Sequence, residues 1–153
     1  MKSLAALLFS LSVLQASADV ESKAGYAALQ DVVKQLSTCT NTAGYDKLFA
    51  YSLDPANSGA ATVETVSAAN EDVFLACPKS FLSALIKLPS DQASAILKDY
   101  FGIARPPWDI APKLCQLQKD EQVGVFVRAH FADEIGTFTD KTCKPRLPES
   151  SDD

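Results

Sequence analysis

Four cysteines, one histidine and a scatter of hydroxyls and carboxylates are the groups that could do chemistry in this 153-residue chain. Cys39, Cys77, Cys115 and Cys143 lie far apart with no CxxC pair, and His130 is the single histidine. A zinc-type site needs thiolates and imidazoles at close, recurrent spacing, so no metal is expected. An even number of cysteines behind a secretory leader reads instead as two disulfides. Three pairings exist, and spacing does not choose among them. Serines, a histidine and aspartates occur, but no GxSxG elbow presents a nucleophile. His130 falls on an apolar helical face, where a packing role is the simpler reading. Asp133 and Glu134 are adjacent, so a helix would point them apart; they read as a solvated face. No glycine-rich phosphate loop and no N-glycosylation acceptor is present. Neither an enzyme nor a cofactor is therefore expected.

The termini frame the part that folds. Lys2, the apolar run Leu4 to Leu14 and Ala16-Ser17-Ala18 have the charge, core and small-residue site of a signal peptide, residues 1–18. That core is too short to span a bilayer. Residues 19–147 suit one domain, and the acidic stretch 148–153 reads as a disordered tail. The net charge of −5, without a basic cluster, argues against nucleic acid and anionic membranes as partners. A secreted, extracellular chain is expected.

Helical periodicity supplies the scaffold. Tyr26, Leu29, Val33 and Leu36 share a face within 19–37, although Gly25 weakens the start of that helix. Thr42 is placed to cap a helix carrying Tyr45, Leu48, Phe49 and Leu53. Residues 54–62 form a loop rich in Asp, Pro, Asn, Ser and Gly. Val63 to Leu75 reads as a helix with some strand character. Cys77 to Phe101 predicts two short amphipathic helices, with Pro78 at a first helical position and Pro89 as the stop. Ser90 or Asp91 is placed to cap the second. The prolines and glycine of 102–112 forbid a regular element, and Trp108 and Ile110 are expected to fold over the core as a lid. Cys115 sits on a turn at 113–118. Glu121 to Ile135 forms the last helix, with Val123, Phe126, Val127, His130, Phe131 and Ile135 on one face. The fold class is all-α: a small disulfide-stapled bundle of five to six short helices, with room for a minor β-hairpin at the β-prone Val123–Val127.

Several segments resemble the elicitins, the secreted sterol-carrying helical proteins of oomycetes. Cys39-Thr40 followed by Thr42-Ala43-Gly44-Tyr45 and Leu48 is similar to that family's Cys-Thr, Thr-Ala-Ala-Tyr and spaced Leu. Cys77, Ser80, Leu85 and Leu88-Pro89 resemble its next cysteine and Leu-Pro-Thr-Thr. Pro106-Pro107 before Cys115-Gln116-Leu117 resembles its Pro-Pro-Asp-Cys-Asp-Leu. Gly136-Thr137-Phe138 and Lys141-Thr142-Cys143 resemble its closing Gly-Phe-Ser-Thr-Lys-Cys. The family has six cysteines where this chain has four. The resemblance implies a Cys39–Cys115 bridge, leaving Cys77 to pair with Cys143. The tyrosines that line the family's sterol cavity have no clear match: Ser94 or Ala95 falls near one, Phe131 near the other. Four-cysteine insect odorant-binding proteins are likewise secreted, acidic and helical, but their cysteine spacing fits less well.

Both resemblances imply helices around an apolar cavity that takes a sterol or fatty acid. The expected lining is Leu48, Phe49, Leu82, Leu85, Ile86, Ile96, Leu97, Tyr100, Phe126 and Phe131, with the Tyr100 hydroxyl orienting the ligand. Eliciting host defence through a receptor is the accompanying expectation. The rival is a secreted effector that presents its surface to a host partner over a closed core.

Overall fold

A computed structural model describes residues 19–136 and Cys143. The predicted signal peptide 1–18 and acidic tail 148–153 lie outside the described residues. Within them the chain is all-α, with eight helices and no strand. These are α1 (Lys23–Leu36), α2 (Tyr45–Leu53), α3 (Ala60–Ala76), α4 (Pro78–Leu85), α5 (Ser90–Asp99), α6 (Pro107–Leu117), α7 (Gly124–His130) and α8 (Ala132–Gly136), with a 3-10 turn at Pro55–Asn57.

Local chemistry explains the early boundaries. The Ser22 hydroxyl caps α1 by accepting from Gly25 N–H at 2.9 Å. Gly25 is required at this tight entry: a Cβ there would stand 1.9 Å from the Asp19 carbonyl oxygen. Thr42 does not cap α2 through its side chain; Gly44 occupies the cap and the Thr42 carbonyl takes the Tyr45 N–H. Pro78 opens α4 at its first position, as its spacing predicts. Pro89 is itself the cap residue of α5, so Ser90 begins the helix rather than capping it.

α3 is the central post, packed against α1, α2, α4 and α6. It buries residues around much of its circumference, including Val66, Val73 and Phe74 beside the polar Ser67, Asn70 and Glu71. That distribution removes the one-sided stripe of a surface helix and accounts for the ambiguous periodicity of 63–75. Around α3 runs a chain of aromatic rings. Tyr45 meets Phe49 (5.9 Å between centroids), Phe49 meets Phe81 (5.5 Å), Phe81 meets Phe74 (5.8 Å), Phe74 meets Phe101 (5.2 Å) and Phe101 meets Phe131 (5.8 Å). Most of these pairs meet edge to face, which the ring quadrupoles favour.

Four expectations are corrected. The count of helices is eight, not five to six, because two segments differ from their reading. The proline-rich 102–112 segment enters a regular helix: Pro106 caps α6, Pro107 opens it and Pro112 lies inside it. Prolines at the cap and first turn cost nothing. The internal one forgoes a single backbone bond, outweighed by the buried stripe of Ile110, Ala111, Leu114 and Cys115. Ile110 is indeed buried, but Trp108 is 67 % exposed on the opposite side of the turn and is no lid. The last predicted helix breaks at Phe131, whose backbone leaves the helical region (φ −130°, ψ 30°). The break turns Phe131 inward and leaves His130 exposed.

The bridges join Cys39 to Cys77 and Cys115 to Cys143, with Cα–Cα distances of 5.4 and 5.5 Å. This overturns the pairing of Cys39 with Cys115 and of Cys77 with Cys143. α1 packs along α3, so the turn after α1 arrives at the α3–α4 junction, where Cys77 stands; Cys115 sits inside α6. Cys39 reaches its partner from a left-handed backbone conformation, φ 60°, that closes the turn after α1.

Candidate functional site: an apolar groove and a polar cleft

The predicted lining residues do not surround a hollow. Leu48, Leu82, Leu85 and Ile96 have no accessible surface, Phe49 keeps 1 %, and none of the five borders the groove or the cleft described below. They belong to the packed interior with the aromatic chain. Ile86 has left the core altogether and is exposed. The Tyr100 hydroxyl donates to the Asn57 carbonyl at 3.2 Å, so it joins α5 to the turn after α2. Burial, then the Asp99 and Asp54 carboxylates, raise its pKa. Phe126 is half-buried and packs against His130, the rings tilted by 37° with centroids 4.3 Å apart.

Leu97 and Phe131 are brought together at the edge of a groove of about 190 Å³. Phe101, Ile110, Ala111 and Leu114 complete its apolar wall, while His130 and Glu134 stand at its margin. The groove thus lies where α5, α6 and the α7–α8 pair converge. Three of its wall residues, Ile110, Ala111 and Leu114, come from the helix that the prolines conceal in the sequence. The only sequence signal for them is the spacing of four between Ile110 and Leu114.

The approach to α6 is fixed by an internal carboxylate. Glu71 of α3 is fully buried and accepts backbone N–H bonds from Ile103 (2.8 Å), Ala104 (3.1 Å) and Arg105. A carboxylate with three such donors satisfies its own charge and the orphan amides of the loop together. Arg105 then forks onto Asp72 from the outside, through Nε at 2.9 Å and an NH2 group at 2.6 Å. Asn70 adds a bond to the Tyr100 carbonyl at 3.2 Å. The run Asn70-Glu71-Asp72 therefore aims successive polar groups at the 100–105 segment. Nothing in its spacing announces this, since a charged pair inside a helix ordinarily faces water.

A second, larger concavity of about 500 Å³ lies between α2 and α4. Ser80, Ser83 and Lys87 follow one another at three- and four-residue intervals and line one side; Thr42, Tyr45 and Asp46 line the other. Lys79 reaches Asp120 at 2.9 Å. Asp120 also accepts from the backbone N–H groups of Gln122 (2.9 Å) and Val123 (3.2 Å), fixing Gln122 at the cleft's edge. The Lys79 bond and then these amides hold the Asp120 carboxyl below its usual range. The Tyr45 hydroxyl is buried with no hydrogen-bond partner among the described residues, and burial pushes its pKa up to about 12.

Among the described residues no cluster of His, Cys, Asp and Glu could hold a metal ion, and no helix is long and apolar enough to cross a membrane. Two disulfides are the usual mark of an oxidising compartment. No protein-family model, no curated protein and no solved structure matches this chain.

Proposed function

We propose that this chain is a secreted, extracellular binder of a hydrophobic small molecule, and that the molecule is received in the lateral groove rather than at the centre of the bundle. The observation that carries this reading is the apolar wall formed by Leu97, Phe101, Ile110, Leu114 and Phe131 around a concave space. Burying an alkyl chain there is favourable at about 25 cal/mol per Å² of apolar surface. The groove's volume, about 190 Å³, falls below the usual range for drug-sized ligands, about 300–1,000 Å³. A single acyl chain suits it better than the fused rings of a sterol. Sterol carriage of the elicitin kind would need the packed centre of Leu48, Phe49, Leu82 and Leu85 to open.

Titration with a fluorescent fatty acid and a fluorescent sterol, beside mass spectrometry of co-purified lipid, tests the reading. The fatty acid is expected to bind saturably and Leu97→Trp, which narrows the groove, to weaken it at least about tenfold. The sterol is expected to compete poorly.

The closed centre itself favours a second reading: a secreted effector or elicitor whose surface is read by a host receptor. If neither probe binds and no lipid co-purifies, the carrier reading fails and this one stands.

A further inference from the structure

We propose that the cleft between α2 and α4 is a separate binding site for a neutral, hydroxyl-rich ligand, a saccharide unit. It shares no residue with the groove and does not depend on the groove's function.

The proposal begins with the shape of α4. Its core face carries Phe81, Leu82 and Leu85, all fully buried. Its other face carries Ser80 and Ser83, with Lys87 just beyond the end of the helix, and an amphipathic surface helix would normally present such a row to open solvent. Here the row instead forms one side of a concavity, and α2 supplies the opposite side. Ser80 and Ser83 are half-buried, yet no hydrogen bond engages their hydroxyls among the described residues. Thr42, Asp46, Lys87 and Gln122 likewise direct no side-chain bond to another described residue. Half-buried Ser80 and Ser83 and exposed Thr42, Asp46, Lys87 and Gln122 thus border one shared space without partners of their own, an arrangement able to receive partners from a ligand. The Tyr45 hydroxyl, buried beside the same space and unpartnered, is the second sign. Buried hydroxyls are rarely left unbonded unless they have a role or an unseen partner.

The mixture of groups indicates the ligand's class. A phosphate or sulfate would be met by Lys87, but Asp46 lines the same space and Lys79 is already committed to Asp120. The cationic and anionic charges around the cleft balance, so an anion gains little. An alkyl chain would leave the hydroxyls and charges desolvated and unpaired. A sugar hydroxyl both donates and accepts. It can give its proton to Asp46, receive one from Lys87 or Gln122, and exchange bonds with Ser80, Ser83 and Thr42. The volume, about 500 Å³, lies within the range of small-molecule sites, about 300–1,000 Å³.

The test uses the full disulfide-bonded chain on an array of neutral, sulfated and sialylated oligosaccharides. Calorimetric titration with the strongest neutral hit and with inorganic phosphate follows. Neutral glycans are expected to bind, with Kd on the order of 0.1–1 mM. Ser83→Arg, which pushes a long side chain into the cleft, and Asp46→Asn, which removes the carboxylate acceptor, are each expected to weaken that binding at least about tenfold. Asp46 is exposed and Ser83 borders the open cleft, so thermal midpoints should hold, and Leu97→Trp should leave glycan binding unchanged. Absence of any neutral glycan binding overturns the proposal. So does binding that survives both substitutions. Preference for phosphate or sulfated glycans that strengthens with Asp46→Asn would make the cleft an anion site and overturn it equally.

Discussion

The groove and the cleft differ in what holds them as much as in what lines them. The groove is apolar, and the loop leading into one of its walls is tied down by polar bonds made elsewhere, where Glu71 grips the amides of 103–105. The cleft's distinguishing groups are polar, although apolar surface lines about half of it, and its walls rest on apolar packing: α2 and α4 meet through Tyr45, Phe49 and Phe81, with the Cys39–Cys77 bridge close by. Each site is thus supported by the opposite chemistry to its own. This division lets a surface carry unpartnered groups of one kind without weakening the interior, because the stabilising contacts are of the other kind. It also makes the two sites separable by mutation.

The largest separation should come from the bridge beside the cleft. Replacing Cys39 and Cys77 together by serine frees a loop closed across a sequence separation of 38 residues. The chain-entropy model puts the loss at about 4 kcal/mol, and chemical denaturation would measure it. At temperatures where the variant stays folded, glycan binding in the cleft should fall while fatty-acid binding in the groove persists. Equal loss at both sites would show that they are not independently supported.

Glu71→Gln is the converse experiment. The amide keeps one oxygen but turns an N–H₂ toward backbone donors that now face Oε1 and Oε2. A loss of about 2–3 kcal/mol is expected, read from the denaturation midpoint, because charged acceptors are lost and at least one amide is left unpaired. Loosening of 103–105 should reach α6 and weaken groove binding, leaving the cleft intact.

How far the sequence announced this division varies by element. α1, α2, α4 and α5 follow from apolar spacing and from the two prolines that bound α4, and the all-α class follows with them. Two disulfides were legible from the even cysteine count, whereas their partners were not, since pairing is settled by where α1 meets α3. α6 was hidden because Pro106 and Pro107 read as a break as readily as a helix start, and Pro112 disfavours a helix interior until tertiary burial of Ile110 and Leu114 outweighs it. The lining residues were chosen for apolarity alone. Apolarity cannot distinguish a wall from a core: Leu97 and Phe131 reached the groove, and Leu48, Phe49, Leu82, Leu85 and Ile96 packed solid. The cleft escaped notice because a polar helical row such as Ser80, Ser83 and Lys87 reads as a solvated face until α2 is seen across from it.

Tyr45→Phe probes the cleft's floor with a smaller effect. Removing a buried, unbonded hydroxyl should stabilise the free protein by about 1 kcal/mol, seen as a higher thermal midpoint. The pH dependence has a definite sign. The phenol of Tyr45 ionises at about 12 in the folded chain, against an ordinary value of about 10. Between those values the unfolded chain releases its proton first, so Tyr45 lowers stability as pH rises through that window and is neutral in effect below it. The variant should show a shallower alkaline decline. Some decline should remain, since burial also raises Tyr51 and Tyr100.

Trp108 gives the smallest effect and the sharpest check on how α6 is held. Were it a lid on the groove, its removal would open apolar surface and cost several kcal/mol. At 67 % exposure it makes few contacts to lose, and Trp108→Ala should change stability by less than about 0.5 kcal/mol. Its fluorescence, the only indole emission in the chain, should be quenched by acrylamide nearly as readily in the folded as in the unfolded protein. A strongly protected indole would instead mean that α6 is rotated to turn Trp108 inward. Ile110 and Leu114 would then turn outward, and the wall on which the groove depends would be lost.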